Sequence, residues 1–119
     1  MSPSRGFFDR LSETDEARHA AEIKAWSERV PGSVRIEDAP LREPVKLAGV
    51  VRRLTVFPME GQETLEALLF DGTGDAVVVF MGRRGIPGLT LGTRVVVEGV
   101  LGEKRGTFRM VNPRFEFTT

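Results

Sequence analysis

The chain has 119 residues, enough for one domain with a modest core, and an ordinary soluble composition of 40% hydrophobic and 29% charged residues. It contains no cysteine, which excludes disulfides and thiolate metal sites, and no apolar run near the roughly 20 residues of a membrane helix. Formal net charge is 0. Residues 1–44 hold seven basic and nine acidic side chains, and residues 45–119 hold ten and eight. That polarity is far from the basic stripe of a dedicated duplex binder.

The opening "MSPSRGFFDRL" lacks the apolar core of a secretory signal, so a cytoplasmic location is expected. One helix is predicted over residues 12–30. Ser12 can cap it with Asp15 three residues on, and Glu13, Asp15 and Glu16 place negative charge where the helix dipole favours it. Ala20, Ile23, Trp26 or Ser27, and Val30 follow helical spacing, and Pro31-Gly32 stops the run. So narrow a stripe must dock on something to be stable. Residues 31–44, with three prolines, read as a connector over the surface. The domain organisation expected is therefore a helix and connector over 1–44 and a β domain over 45–119.

From Val45 the apolar period changes to two. Strands are predicted at 45–57, 63–71, 75–82, 93–103 and 106–117, separated by Gly- and Pro-containing joints. Five short strands with no long helix between them suggest a small sandwich or a closed barrel. The joint "DGTG" (71–74) interrupts two apolar runs. Glycine supplies positive φ there, and Asp71 can bond the backbone two residues on, so a hairpin turn accounts for all four residues. A calcium loop would need oxygen ligands at alternating positions after it, and Ala76 to Phe80 offer none. No P-loop pattern is present.

The ordered set "VKLAGVVRRL … LEALLFDGTGDAVVVFM … LTLGTRVVVEGVLGEKRGTFRMVNPRFEF" resembles the OB-fold family, in particular bacterial modules of the anticodon-binding and helicase-wedge type. The matching positions are Gly49 and Val51, 71–74, then Gly92, Val95, Val97 and Gly99, and Gly106, over about residues 45–117. The resemblance implies a five-stranded Greek-key barrel, all-β with a small α extension. One departure stands out: many OB-folds carry a helix between strands 3 and 4, and residues 82–92 are too short and glycine-rich for more than one turn. Gly49 and Gly99 fall mid-strand, where a barrel must bend. Parity then assigns Leu65, Ala67, Leu69, Ala76, Val78 and Phe80 to the interior with Leu47, Val51, Val95, Val97 and Phe108.

The opposite face of strands 2 and 3 shows Leu68, Phe70, Val77, Val79 and Met81. By resemblance this is the usual OB ligand face, where stacking aromatics combine with cations that follow a nucleic-acid backbone. Phe70 and Phe57 are the stacking candidates. Arg52, Arg53, Arg83, Arg84, Lys104, Arg105 and Arg109 are the candidate cations. Adjacent residues on a strand point to opposite faces, so Arg52 and Arg53 can share a ligand only across a bulge. The alternative is a protein-interaction or self-association adaptor, acting through the apolar strip of Leu68, Val77, Val79 and Met81, which calls for a cover, or through the docked Ile23/Trp26 helix.

Catalytic means are thin. His19 is the one histidine, and tyrosine is absent. All five serines precede Val34, away from the predicted barrel, and Glu60, Glu63 and Glu66 read as loop and edge solubilisers. Neither a metal nor a cofactor is implied. The expectation is a non-catalytic protein binding single-stranded or structured nucleic acid, with no membrane role.

Overall fold

The computed structural model describes the backbone of residues 3–118 and the side chains of residues 14–118. In chain order it contains α1 (Pro3–Arg29), a single 3₁₀ turn (Ile36–Asp38), β1 (Pro44–Met59), β2 (Gln62–Phe70), β3 (Asp75–Met81), β4 (Arg94–Lys104), β5 (Thr107–Val111) and β6 (Arg114–Phe117). The strands are ordered β1-β2-β3-β5-β4, and β4 returns to β1 and closes the barrel. All pairings are antiparallel except β3 with β5. No helix separates β3 from β4. Ile86 and Leu89 of that loop instead join the core, with the Leu89 amide bonded to the Ile86 carbonyl at 2.9 Å.

Alternation in the sequence becomes the barrel interior. Leu47, Val51, Leu65, Ala67, Leu69, Ala76, Val78, Phe80, Val95 and Val97 form one buried cluster with Leu101 and Met110, and Phe108 packs against it partly buried. Each large aliphatic side chain taken fully from water contributes about 1.5–3 kcal/mol. Gly49 sits where β1 crosses close over β2: a Cβ there would meet the Phe70 carbonyl oxygen at 3.1 Å.

Three expectations need correction. The helix starts at Pro3, not at Ser12, so Ser12 and Asp15 lie inside it and not at its start. Proline suits a first turn, whose amides have no helical partner to lose. The predicted fifth strand is two strands, because Asn112 adopts φ 48° and Pro113 has no amide to offer a ladder. Asn112 completes the end of β3 instead, its amide bonding the Val79 carbonyl at 2.7 Å and its Oδ1 accepting from the Met81 amide at 2.9 Å.

The connector does more than run over the surface. Ile36 is fully buried in the barrel core, and its amide donates to Asp71 Oδ2 at 2.8 Å. The other Asp71 oxygen accepts from the Thr73 amide, the Thr73 hydroxyl and the Gly74 amide at 2.8, 2.7 and 3.1 Å. So the turn expected at 71–74 is present, and its aspartate also locks the connector onto the barrel.

The helix docks beside this turn. Ile23 and Trp26 bury against Ala48, Val50 and Val96 on the outside of β1 and β4, with Val30 and Phe70 at the margin. Ser27 is buried and donates to the Ala48 carbonyl at 2.8 Å. Gly72 has φ 91°, and a Cβ on it would lie 2.5 Å from Lys24 Cβ and 2.7 Å from the Ala20 carbonyl oxygen. Only glycine lets the helix come so close.

Candidate nucleic-acid interface

The strand register lays out the outer face of the barrel in rows. Val50, Phe70 and Asp75 form one, and Arg53, Leu68, Val77 and Arg109 the next. Thr55, Glu66, Val79 and Val111 follow, and Phe57, Thr64 and Met81 make the last. Asp75 to Met81 spans six residue steps, roughly 20 Å at a strand's rise.

A bulge decides what the two strand-1 arginines can do. The β1–β2 register slips between Val51 and Arg53. Val51 stays in the core, while Arg53 comes opposite Leu68 on the outer face. The extra residue, Arg52, turns onto the same face, its guanidinium carbon 3.7 Å from the centre of the Phe70 ring. A guanidinium at that distance is held by the quadrupole of the ring. One face of Phe70 is therefore covered, and the ring also packs against the helix-bearing cluster. Beside the stack runs a groove lined by Asp15, Glu16 and His19 of α1, so this end of the face meets an acidic wall.

The expected apolar strip is not open. Val77 and Val79 are 8% and 1% exposed, and Leu68 and Met81 are half-buried. Arg109 on β5 reaches Glu66 on β2 at 3.2 Å, both about a quarter exposed, so the ion pair spans β3 at the level of the two valines. The stems of long charged side chains can cover apolar surface while their heads stay wet, and this pair lies in register with the strip. Among the described residues the helix is not the cover. Ile23 and Trp26 are buried on β1 and β4, which removes them as an exposed docking stripe.

The other cations lie at the two ends of the face. Arg83 and Arg84 follow Met81; Arg84 Nε bonds Glu63 Oε2 at 2.9 Å, whereas Arg83 is exposed. Lys104 and Arg105 occupy the β4–β5 turn, both exposed, with Lys104 paired to Thr107. Thr107 lies two residues before Arg109, so this turn is at the level of Asp75, opposite to the arginine pair at Met81. Among the described residues, Arg52, Arg53, Arg83, Lys104 and Arg105 have no acid within ion-pair distance. Glu63 and Glu66 are held in ion pairs and do not converge on a cleft.

Two participants had no signal in the sequence. Thr64 is a polar residue fully buried on the outer face, in a strand whose alternation gave no sign of it. Arg42, between prolines, is drawn to the barrel by its amide, which bonds the Leu101 carbonyl at 2.7 Å, and it lines a surface groove with Lys104 and Arg109.

No protein-family model and no curated protein sequence matches the chain. Solved structures do. RecG bound to a three-way DNA junction is similar at TM-score 0.59 and 19% identity, over 71% of this chain and 12% of RecG. The Stn1–Ten1 complex of S. pombe matches at TM-score 0.51 and 16% identity, over 63% of this chain and 57% of that one. A Replication Protein A heterotrimer bound to ssDNA matches at TM-score 0.51 and 15% identity, over 78% and 70%. The chain thus spans only a small part of RecG, and identities this low speak for the fold alone. Strand order, closure and these likenesses agree: the chain has the OB fold, a five-stranded Greek-key barrel with one helix in front of it.

Proposed function

We propose that the chain is a non-catalytic binder of single-stranded or structured nucleic acid, held through phosphate contacts and limited stacking on the outer face of β1, β2 and β3. The observation that carries this reading is the bulge at Arg52, which turns two adjacent arginines onto one face of the barrel. Arg53, Arg83, Lys104 and Arg105 are the phosphate contacts. Phe57 and the Arg52–Phe70 pair are the stacking surfaces, since a guanidinium lying on a ring still offers its own flat face to a base. Arg84 and Arg109 serve mainly to order the face through Glu63 and Glu66. Two of the similar structures were solved with DNA. The rival reading, an assembly adaptor, would act through the apolar β2–β3 face or the docked helix, and Val77, Val79, Ile23 and Trp26 are all buried.

Fluorescence anisotropy of labelled 20-nucleotide DNA and RNA single strands, at low and moderate salt, tests the proposal. Four free cations on phosphates give a slope of log affinity against log salt near −3, at about 0.7 per single-strand contact. Arg53→Glu should weaken binding and flatten that slope. No binding at low salt, or binding indifferent to salt, overturns the reading.

A further inference from the structure

One buried polar atom on this face finds no hydrogen-bond partner among the described residues. Thr64 lies on β2 between Phe57 of β1 and Met81 of β3, on the outer face with Glu66 and Leu68. Leu65, Ala67 and Leu69, which alternate with these residues, point into the core. The residue is 0% exposed, and among the described residues its Oγ1 has no hydrogen-bond partner. A buried hydroxyl without a partner costs stability, and valine has the same shape, suits a strand equally and carries no such cost.

The neighbours of Thr64 supply a reason for the hydroxyl. Phe57 beside it is half-buried, on a stretch of β1 that has left its second partner: the β1–β4 ladder ends at Val50 opposite Arg94. That side of the β1–β2 hairpin is therefore free to bend. Beyond Met81, Gly82 takes φ 75° and is tied back by its amide to the Glu63 carbonyl at 2.8 Å, so the chain at Arg83, exposed and without an acid partner among the described residues, starts from the backbone next to Thr64. An aromatic ring and a hidden hydroxyl are thus paired at one end of the face, and the segment that carries Arg83 leaves β3 at the same end.

We propose that Phe57, Thr64 and Arg83 form a subsite for one unstacked nucleotide, an inference that rests on the nucleic-acid reading above. Phe57 turns off Thr64 and stacks on the base, the freed hydroxyl bonds the edge of that base, and Arg83 takes the phosphate. The hydroxyl gains in the complex the partner it lacks in the free protein. A paired base has its edge engaged and its faces stacked, so the subsite selects single strands over duplex.

Thr64→Val in the full chain is the test, because its two effects have opposite signs. Thermal unfolding should show a higher Tm, by about 4 °C. Anisotropy with the 20-nucleotide single strand should show a Kd weakened about five- to tenfold, as for one lost hydrogen bond. The salt slope should stay unchanged, and Thr64→Ser should bind within about twofold of wild type. A variant that binds like wild type, or one whose Tm falls, overturns the subsite. If the wild-type chain binds salt-dependently and Thr64→Val binds equally well, only the subsite is lost. If the wild-type chain binds nothing, the subsite and the broader reading fall together.

Discussion

The β2–β3 turn (71–74) and the β4–β5 turn (104–107) both join antiparallel strands, and both use a glycine at positive φ, Gly72 at 91° and Gly106 at 79°. Around them everything else differs. In the first, a carboxylate 1% exposed accepts four hydrogen bonds, and the helix backbone presses on the glycine. In the second, among the described residues, Lys104 and Arg105 stand exposed without an acid partner and nothing lies within 4 Å of where a Gly106 Cβ would sit. Polar residues at a turn therefore do not mark a site by their presence. What separates a structural turn from an available one is whether its hydrogen-bonding and charged groups are already occupied.

Breaking the first turn should have the largest effect. Asp71→Ala strands four donors at once, including the amide of the core residue Ile36, and should cost about 3–5 kcal/mol in urea unfolding. Gly72→Ala should come next at about 2–4 kcal/mol, since strained φ and the collision with Lys24 and Ala20 act together. Gly106→Ala meets only the φ term and should cost about 1 kcal/mol. If the two glycine variants cost the same, the helix does not seat on the turn in solution.

The second turn should respond in binding and not in stability. Lys104→Glu with Arg105→Glu should leave unfolding within about 0.5 kcal/mol of wild type. The same pair should weaken single-strand binding about tenfold or more and reduce the salt slope by about 1.4, two contacts at 0.7 each. Unchanged binding would remove this turn from the interface.

Glu98 sharpens the contrast from the opposite side, as a carboxylate that has partners but little burial. Arg114 Nη2 lies 2.8 Å away and Lys46 Nζ 3.7 Å. The hydrogen bond from Arg114, with smaller help from Lys46, holds its pKa below the ordinary carboxylate range. A lowered pKa means the stabilisation is present above that range and is lost as the pH falls through the lowered value. Solvent screens the pair, so the effect should be the smallest of the set. The stability difference between wild type and Arg114→Ala should be slight at neutral pH and vanish on acidification.

The barrel was legible because period-two alternation is dictated by the pleat. Parity from Asp71 placed the barrel-interior residues of β2 and β3 correctly, but it left Val77 and Val79 on an open face where they are in fact buried. Features set by one residue in an irregular context were not legible. Ile36 is a single apolar side chain among charged neighbours, so no periodicity announces that it plugs the core. The break at Asn112-Pro113 had a local signal, but the aromatic alternation of "RFEF" beyond it reads as one continuous strand. Of the nine candidate site residues, Arg52, Arg53, Phe57, Phe70 and Arg109 share the outer face, while Arg83, Arg84, Lys104 and Arg105 stand at its ends. The ion pairs that engage Arg84 and Arg109 join residues 21 and 43 positions apart, a distance at which sequence carries no hint of pairing.

The seam between helix and barrel holds the only tryptophan of the chain. Trp26 is 7% exposed, with the Arg94 guanidinium carbon 4.9 Å from the centre of its ring. With no tyrosine in the sequence, near-ultraviolet emission from this molecule is emission from that seam. The protein thus carries a built-in optical reporter of helix docking, placed on a different part of the barrel from Phe57 and Thr64. Spectral change during a titration would report the helix lifting or settling. A silent tryptophan alongside rising anisotropy would show the ligand held while the seam stays shut.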